Sequence, residues 1–243
     1  MNLLIDMGNS RLKWGLHEHN KIISGLPIFY SKNFKEQLLS VWSAIKSPDS
    51  LLISCVNESG GLSTLQQVAS QLWPGIKIIR AKSVAEGYGV KNAYQHPEKL
   101  GVDRWLAMLA SRKLYPFSTC IVDCGTAVTI DLVDIDGQHL GGLIAPGLTL
   151  MKKSLAQGAE DLEFFEQQFP LGLADNTEAA IYNGTLFSIV GLIENFMFKN
   201  QGFQAILTGG DAETVANELS MHSIIQTDLV LQGLAVVDTT AEH

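Results

Sequence analysis

Two short segments of this chain end an apolar run on an aspartate, place glycine two residues later and continue with hydroxyl or amide residues. They are Asp6-Met7-Gly8-Asn9-Ser10 and Asp123-Cys124-Gly125-Thr126. A carboxylate at the end of a buried strand is costly unless it has a partner or a task. The glycine lets main-chain N–H groups close on an anion. Asn9, Ser10 and Thr126 offer polar contacts to phosphate oxygens, and the two carboxylates suit Mg²⁺ or a monovalent cation held partly through water. Lys13 adds a point charge to the first segment. Either turn alone reads as an ordinary β-turn. Both at matching places point to two hairpins that clamp a nucleoside triphosphate. Thr208-Gly209-Gly210-Asp211 runs from a strand into a helix and leaves free N–H groups at the helix start. That signal is weak alone, because such turns also serve packing. It matches neither the dinucleotide glycine fingerprint nor a Walker loop.

A third pair, Asp103-Arg104, falls in a helical pattern that begins near Pro97. With Val102 as origin and about 100° per residue, Trp105, Leu106 and Leu109 cluster within about 60° of it, Asp103 lies on the flank and Arg104 points nearly opposite. An exposed salt-bridging pair is one reading. The other makes Asp103 a general base towards a hydroxyl and Arg104 an anchor for a carboxylate. The residues alone leave both open.

Composition narrows the rest. The net charge is −8 and no run of Lys or Arg occurs, so the basic footprint of a nucleic-acid binder is missing. Three cysteines, Cys55, Cys120 and Cys124, are too few and too odd in number for a disulfide framework and read as reduced core thiols. None of the six histidines has ligand spacing. The N-terminus lacks a signal-peptide pattern, and the longest uncharged apolar stretch, 179–193, is short of the roughly 18–20 residues a membrane span needs. A cytoplasmic protein is expected.

The elements that must position these residues follow from periodicity. Three short strands and a hairpin pattern open the chain. A helix is expected over 33–45, a buried strand over 51–56, a helix over 62–72, a strand over 76–79 and the helix after Pro97. The plan then restarts. Strands are expected at 120–124, 128–133 and 139–144, with a turn at Asp136-Gly137. A long helix at 177–198, a strand at 205–208, a helix at 211–219 and a last helix at 229–237 follow. LLIDMGNSRLKWGL aligns with CIVDCGTAVTIDLV without a gap, Asp6 on Asp123 and Gly8 on Gly125. With the repeated element order, this indicates a duplicated α/β domain, divided at 1–115 and 116–243.

The ordered motifs resemble the type III pantothenate kinases of the actin–hexokinase superfamily. The matching residues are Asp6-Met7-Gly8-Asn9-Ser10-Arg11-Leu12-Lys13, Asn92-Ala93-Tyr94, Leu100-Gly101-Val102-Asp103-Arg104-Trp105 and Asp123-Cys124-Gly125-Thr126-Ala127. Gly141-Gly142 through Pro146-Gly147, Asn176-Thr177 with Ala180-Ile181, and Thr208-Gly209-Gly210-Asp211 complete the set. The resemblance implies two ribonuclease-H-like (actin-like ATPase) domains with mixed sheets and a nucleotide cleft between them. It implies a homodimeric, ATP-dependent kinase that phosphorylates pantothenate to 4′-phosphopantothenate, the first step of coenzyme A biosynthesis. On that resemblance Asp6, Met7, Gly8, Asn9, Ser10, Arg11, Leu12, Lys13 and Thr126 bind ATP, and Asp103 is the base. Tyr94, Gly101, Val102, Asp103 and Arg104 hold pantothenate, together with Thr177, which reaches the neighbouring subunit's substrate. Asp123 carries a monovalent cation, K⁺ or NH₄⁺, and Asp6 meets Mg²⁺ through water. Ser10 stands where the family usually has Thr, which keeps the hydroxyl and loses a methyl.

Two rivals remain at this level. A sugar kinase of the same superfamily usually carries a Cys-rich zinc motif and an Asn-Gly-Asp segment, and neither is present. A catalytically weak relative acting as a partner-binding transcriptional accessory factor would keep the ATP clamp and lose the base, yet Asp103, Arg104 and Tyr94 are intact.

Overall fold

A computed structural model of the chain describes residues 1–56, 61–158, 162 and 164–240, with side chains through 238. Two compact units emerge, Met1–Leu114 with Asp228–His243, and Tyr115–Thr227.

The first unit is built on β1 (Asn2–Met7), β2 (Arg11–Glu18), β3 (Lys21–Ser24) and β4 (Ile28–Phe29), then α1 (Phe34–Trp42), β5 (Ser50–Cys55), α2 (Gly61–Leu72) and β6 (Lys77–Arg80). A small hairpin of β7 (Glu86–Gly87) and β8 (Val90–Lys91), a 3-10 turn at Pro97–Lys99 and α3 (Val102–Leu114) follow. The main sheet has the order β3-β2-β1-β5-β6, with β4 beside β2. β1 runs antiparallel to β2 and parallel to β5, and β5, flanked on both sides, is apolar except for Ser50 and Ser54. Leu3, Ile5, Met7, Leu51 and Ile53 face a core closed by Leu38 and Trp42 of α1 and Leu65 and Val68 of α2. On the opposite face lie Leu4, Asp6, Leu52 and Ser54, the alternate positions of the same strands.

The second unit contains β9 (Thr119–Cys124), β10 (Ala127–Val133), β11 (His139–Pro146), α4 (Leu148–Gly158), α5 (Thr177–Lys199), β12 (Gln204–Thr208), α6 (Ala212–Ala216) and β13 (Ser223–Ile225). Its sheet order, β11-β10-β9-β12-β13, repeats the order of the first. Cys120, Val122, Val128 and Ile130 pack against Leu186, Ile189 and Ile193 of α5. Asn176 caps α5 by accepting the Ala179 N–H at 2.9 Å.

A single cut at 115/116 does not separate the units, because α7 (Leu229–Thr240) returns to the first. There it lies against α3 and touches β1 and β5. Gly233 makes the approach possible, since a Cβ on it would stand 2.1 Å from the Leu106 carbonyl oxygen. A polar latch adds to the contact. Asp238 accepts from Asn2 Nδ2 at 2.7 Å and pairs with His17 Nδ1 at 2.6 Å, the second contact buried. No helix among the described residues is long and apolar enough to cross a membrane.

The helix expected from Pro97 is two elements. Leu100 is extended, with ψ 132°, and separates the 3-10 turn from α3. Asp103 and Arg104 therefore occupy the first turn of α3 rather than its interior. The helix α4 and the strands β4, β7, β8 and β13 lie outside the sequence-based plan.

Candidate active site

In the first unit, β1 and β2 form a hairpin in which Met7 pairs with Leu12 and Asp6 with Lys13. Residues 8–11 make the loop. Partners across an antiparallel pair leave the sheet on one face, so Lys13 is the cationic neighbour of Asp6. Met7 and Leu12 are buried core residues, which leaves their main chain, not their side chains, to face a ligand. Asn9 and Ser10 are exposed at the tip. A cavity of ≈ 490 Å³ opens beside Gly8 and Asn9 and runs past Tyr30 to Lys35 and Thr64. Burial, with Asp6 and Cys55 adding to it, pushes the Tyr30 hydroxyl well above the usual phenol range, so it stays protonated as a neutral wall.

The segment leading to α3 builds the second cluster. Tyr88 and Gly89, at φ 55° and 78°, make the turn of the β7–β8 hairpin. Asn92 then accepts the Tyr94 N–H at 3.0 Å on its side-chain oxygen, an Asx turn. Ser83 ties the segment down by donating to the Leu100 carbonyl at 2.8 Å. Tyr94 is thereby set against Arg104, whose Nη1 donates to the Tyr94 hydroxyl at 2.9 Å while the guanidinium carbon stands 5.6 Å from the ring centroid. Arg104 is only 6% exposed. The helical wheel set it opposite the apolar cluster and left open an exposed pair, and the burial excludes that exposed reading for a physical reason. α3 is buried at every position from Arg104 to Ser111, so it has no solvent face at its start. A buried guanidinium holds a fixed fork of donors for a planar anion.

Asp103 Oδ1 accepts the Arg104 N–H at 2.8 Å, and the positive end of α3 favours its ionised form. A Cβ at Gly101 would come 2.6 Å from that oxygen, so glycine keeps the space the carboxylate occupies. Ser83 escaped attention in the sequence, and Asn92 was noted only as part of a motif. Asn92, two residues before Tyr94, carried the readable signal of a side chain that turns its own backbone.

In the second unit, Cys124 pairs with Val128 and Asp123 with Thr129. The loop is residues 125–127, one residue shorter than the first. Thr126 is exposed at its tip. Two glycines pack on this loop. A Cβ at Gly147 would meet the Gly125 carbonyl oxygen at 2.1 Å, and one at Gly209 would meet Asp123 Oδ1 at 2.5 Å. The Gly147 N–H donates to Thr126 O at 3.0 Å and the Asp211 N–H to Cys124 O at 2.9 Å. Thr208-Gly209-Gly210-Asp211 is thus brought against the Asp123 turn, as the sequence pattern allowed. Thr177 is exposed at the first position of α5. Cys120 and Cys124 are free and buried; burial and Asp131 push the Cys120 thiol up to about 12, and Cys124 is raised further.

Among the described residues no three His, Cys, Asp or Glu converge on one point. Two buried histidines instead face carboxylates, His139 Nε2 standing 2.9 Å from Asp131 and His17 beside Asp238. Any cation at Asp6 or Asp123 would therefore have fewer than three such side chains and would need water or other oxygens to complete its shell. Gly209 packs closely on Asp123, where any side chain would collide with the carboxylate.

Comparison with known proteins gives the family. Residues 2–199 match the model of the type III pantothenate kinase family. A type III pantothenate kinase of Dichelobacter nodosus is 33% identical over 240 residues, covering 96% of each chain. Among solved structures, a Campylobacter jejuni protein described as a candidate Baf family transcriptional activator superposes with a TM-score of 0.62 at 25% identity, covering 99% of this chain and all of that one. An inorganic polyphosphate/ATP-glucomannokinase of Arthrobacter shares the fold alone, with a TM-score of 0.50 at 11% identity over 99% of this chain and 98% of that one. The chain belongs to the type III pantothenate kinase family.

Proposed function

We infer that this protein transfers the terminal phosphoryl group of ATP to pantothenate in coenzyme A biosynthesis. The observation that carries the reading is the pair at the start of α3. Arg104 is buried and held by Tyr94, and the Asp103 carboxylate stands one residue before it. Pantothenate has an acid end and a primary hydroxyl, and these two side chains match them. Arg104 and Tyr94 hold the acid end and body of the substrate, with Gly101 and Val102 lining its path. Asp103 orients the 4′-hydroxyl and accepts its proton as the oxygen bonds to the γ-phosphorus and the bond to the ADP oxygen breaks. Phosphoryl transfer depends chiefly on positioning and charge neutralisation, so a weak carboxylate base that accepts the proton late is sufficient.

ATP phosphates are taken by the residue 6–13 hairpin, through main-chain N–H groups at Gly8 and the side chains of Asn9, Ser10, Arg11 and Lys13, with Thr126 contributing from the second loop. Asp6 would hold Mg²⁺ through water and Asp123 would hold K⁺ or NH₄⁺, and these ions would supply positive charge against the phosphates. Thr177 serves the substrate of a second copy, in a cytoplasmic homodimer.

The test is mass-spectrometric detection of phosphopantothenate from pantothenate, ATP and Mg²⁺, with K⁺ and again with Na⁺ alone. Strong product with K⁺ and weak product with Na⁺ is expected. Equal product in both removes the Asp123 cation assignment. No product from folded protein that binds ATP overturns the kinase reading and favours an accessory role of the kind described for the Campylobacter relative.

A further inference from the structure

Ser54 sits near the end of β5 and is fully buried, yet its hydroxyl oxygen has no hydrogen-bond partner among the described residues. Buried hydroxyls are nearly always satisfied, and an exception marks a strain reservoir, a bound water or an ion. Its position favours the water. Ser54 is the register partner of Asp6 in the parallel pair β1–β5, so both side chains leave the sheet on the same face from strands about 4.8 Å apart. Lys13 flanks Asp6 from the other side, as its partner on β2. Asp6 thus lies between a cation and a hydroxyl. A water needs two or more polar partners to be held in a buried place, and the hydroxyl and carboxylate provide them.

Resting on the reading of Asp6 as the residue that meets hydrated Mg²⁺, we propose that Ser54 is a positioning residue for it. The Ser54 hydroxyl holds a water against the Asp6 carboxylate and fixes the orientation in which that carboxylate meets the ion. Ser54 touches neither nucleotide nor pantothenate and acts only through Asp6. A purely structural Ser54 predicts something different. Removing a lone buried hydroxyl would then be neutral or stabilising and would leave Mg²⁺ dependence untouched.

The test is calorimetric binding of the β,γ-imido analogue of ATP to wild type, Ser54→Ala and Ser54→Cys, in saturating Mg²⁺ and in EDTA, with thermal melts of each protein. The cysteine variant fills the same space with a poor hydrogen-bonding group, so it separates loss of the hydroxyl from creation of a cavity. Both variants are expected to bind about tenfold more weakly with Mg²⁺, the effect of one bond to a charged group. Affinity in EDTA and the melting midpoint should stay at the wild-type values or, for the midpoint, rise. Wild-type Mg²⁺ dependence in either variant overturns the proposal, as does equal weakening with and without Mg²⁺. A wild-type protein whose binding ignores Mg²⁺ overturns the proposal together with the reading of Asp6, and only that outcome touches both.

Discussion

The two Asp-x-Gly loops share a motif and differ in everything that surrounds it. In the first, four residues span the closing pair Met7–Leu12 and Lys13 stands opposite Asp6. In the second, three residues span Cys124–Val128 and Thr129 stands opposite Asp123. The gapless alignment of the two halves sets Lys13 against Ile130, which is a core residue of the second unit. The register moves the correspondence by one residue, and in a strand one residue exchanges one face for the other. The environments diverge too. A Cβ at Gly8 would meet only the Arg11 carbonyl oxygen, at 3.3 Å, beside an open cavity. Gly125 and Thr126 are pressed by Gly147, and Asp123 by Gly209. The first loop is charged and accessible; the second is packed and braced. A duplicated motif has become one loop with a cation beside its aspartate and one packed by two glycines.

The comparison is sharpened most by the proposed base, Asp103, which belongs to the first unit alone. Asp103→Asn should lower kcat by about 10²–10⁴-fold, the usual worth of a general base, with an unchanged melting midpoint. An active, folded variant would refute the assignment. Next comes the charge that distinguishes the loops. Lys13→Met should raise the KM for ATP by roughly 10–100-fold, the value of one charge-assisted bond, whereas Thr129→Val should change it little. Steady-state kinetics on the pair reads the difference, and equal effects would break the contrast.

A smaller effect tests the packing. Gly147→Ala should cost about 1–3 kcal/mol by overpacking the second loop, while Gly8→Ala should cost under about 1 kcal/mol. Denaturant melts measure both, and a reversed order would refute the picture of a braced second loop. Smallest is the behaviour of the thiols. Cys55 is half-buried and should react with a thiol reagent in the native protein at pH 8, while Cys120 and Cys124 should react only on unfolding. Burial raises the folded Cys120 pKa from 9.0 to about 12. Its contribution to stability is therefore full below pH 9.0 and is lost as the pH rises towards about 12, which alkaline melts of Cys120→Ala against wild type would show.

Much of this was readable before any coordinates. The strands around both aspartates, the long α5 and the turn at Gly209 follow from apolar runs, spacing and glycine chemistry. The burial of Arg104 was not, because a wheel compares the faces of one helix and knows nothing of what covers them. Tyr94 covers this one, brought in by a hairpin too short to leave a periodic signal. Ser54 was equally silent, since a serine in an apolar strand looks like a minor irregularity until its register with Asp6 is known.

Local chemistry along the chain was enough to name residue types suited to phosphate, most of the order of the elements and the resemblance to a kinase family, because each rests on neighbours in sequence. Three things needed tertiary structure: the pairing of Asp6 with both Lys13 and Ser54, the one-residue difference between the loops, and the return of α7 to brace α3. Each depends on which strand lies beside which and in what register. Those choices are made by burial and hydrogen bonding between residues distant in the chain, as Asn2 and Asp238 are, and no local pattern records them.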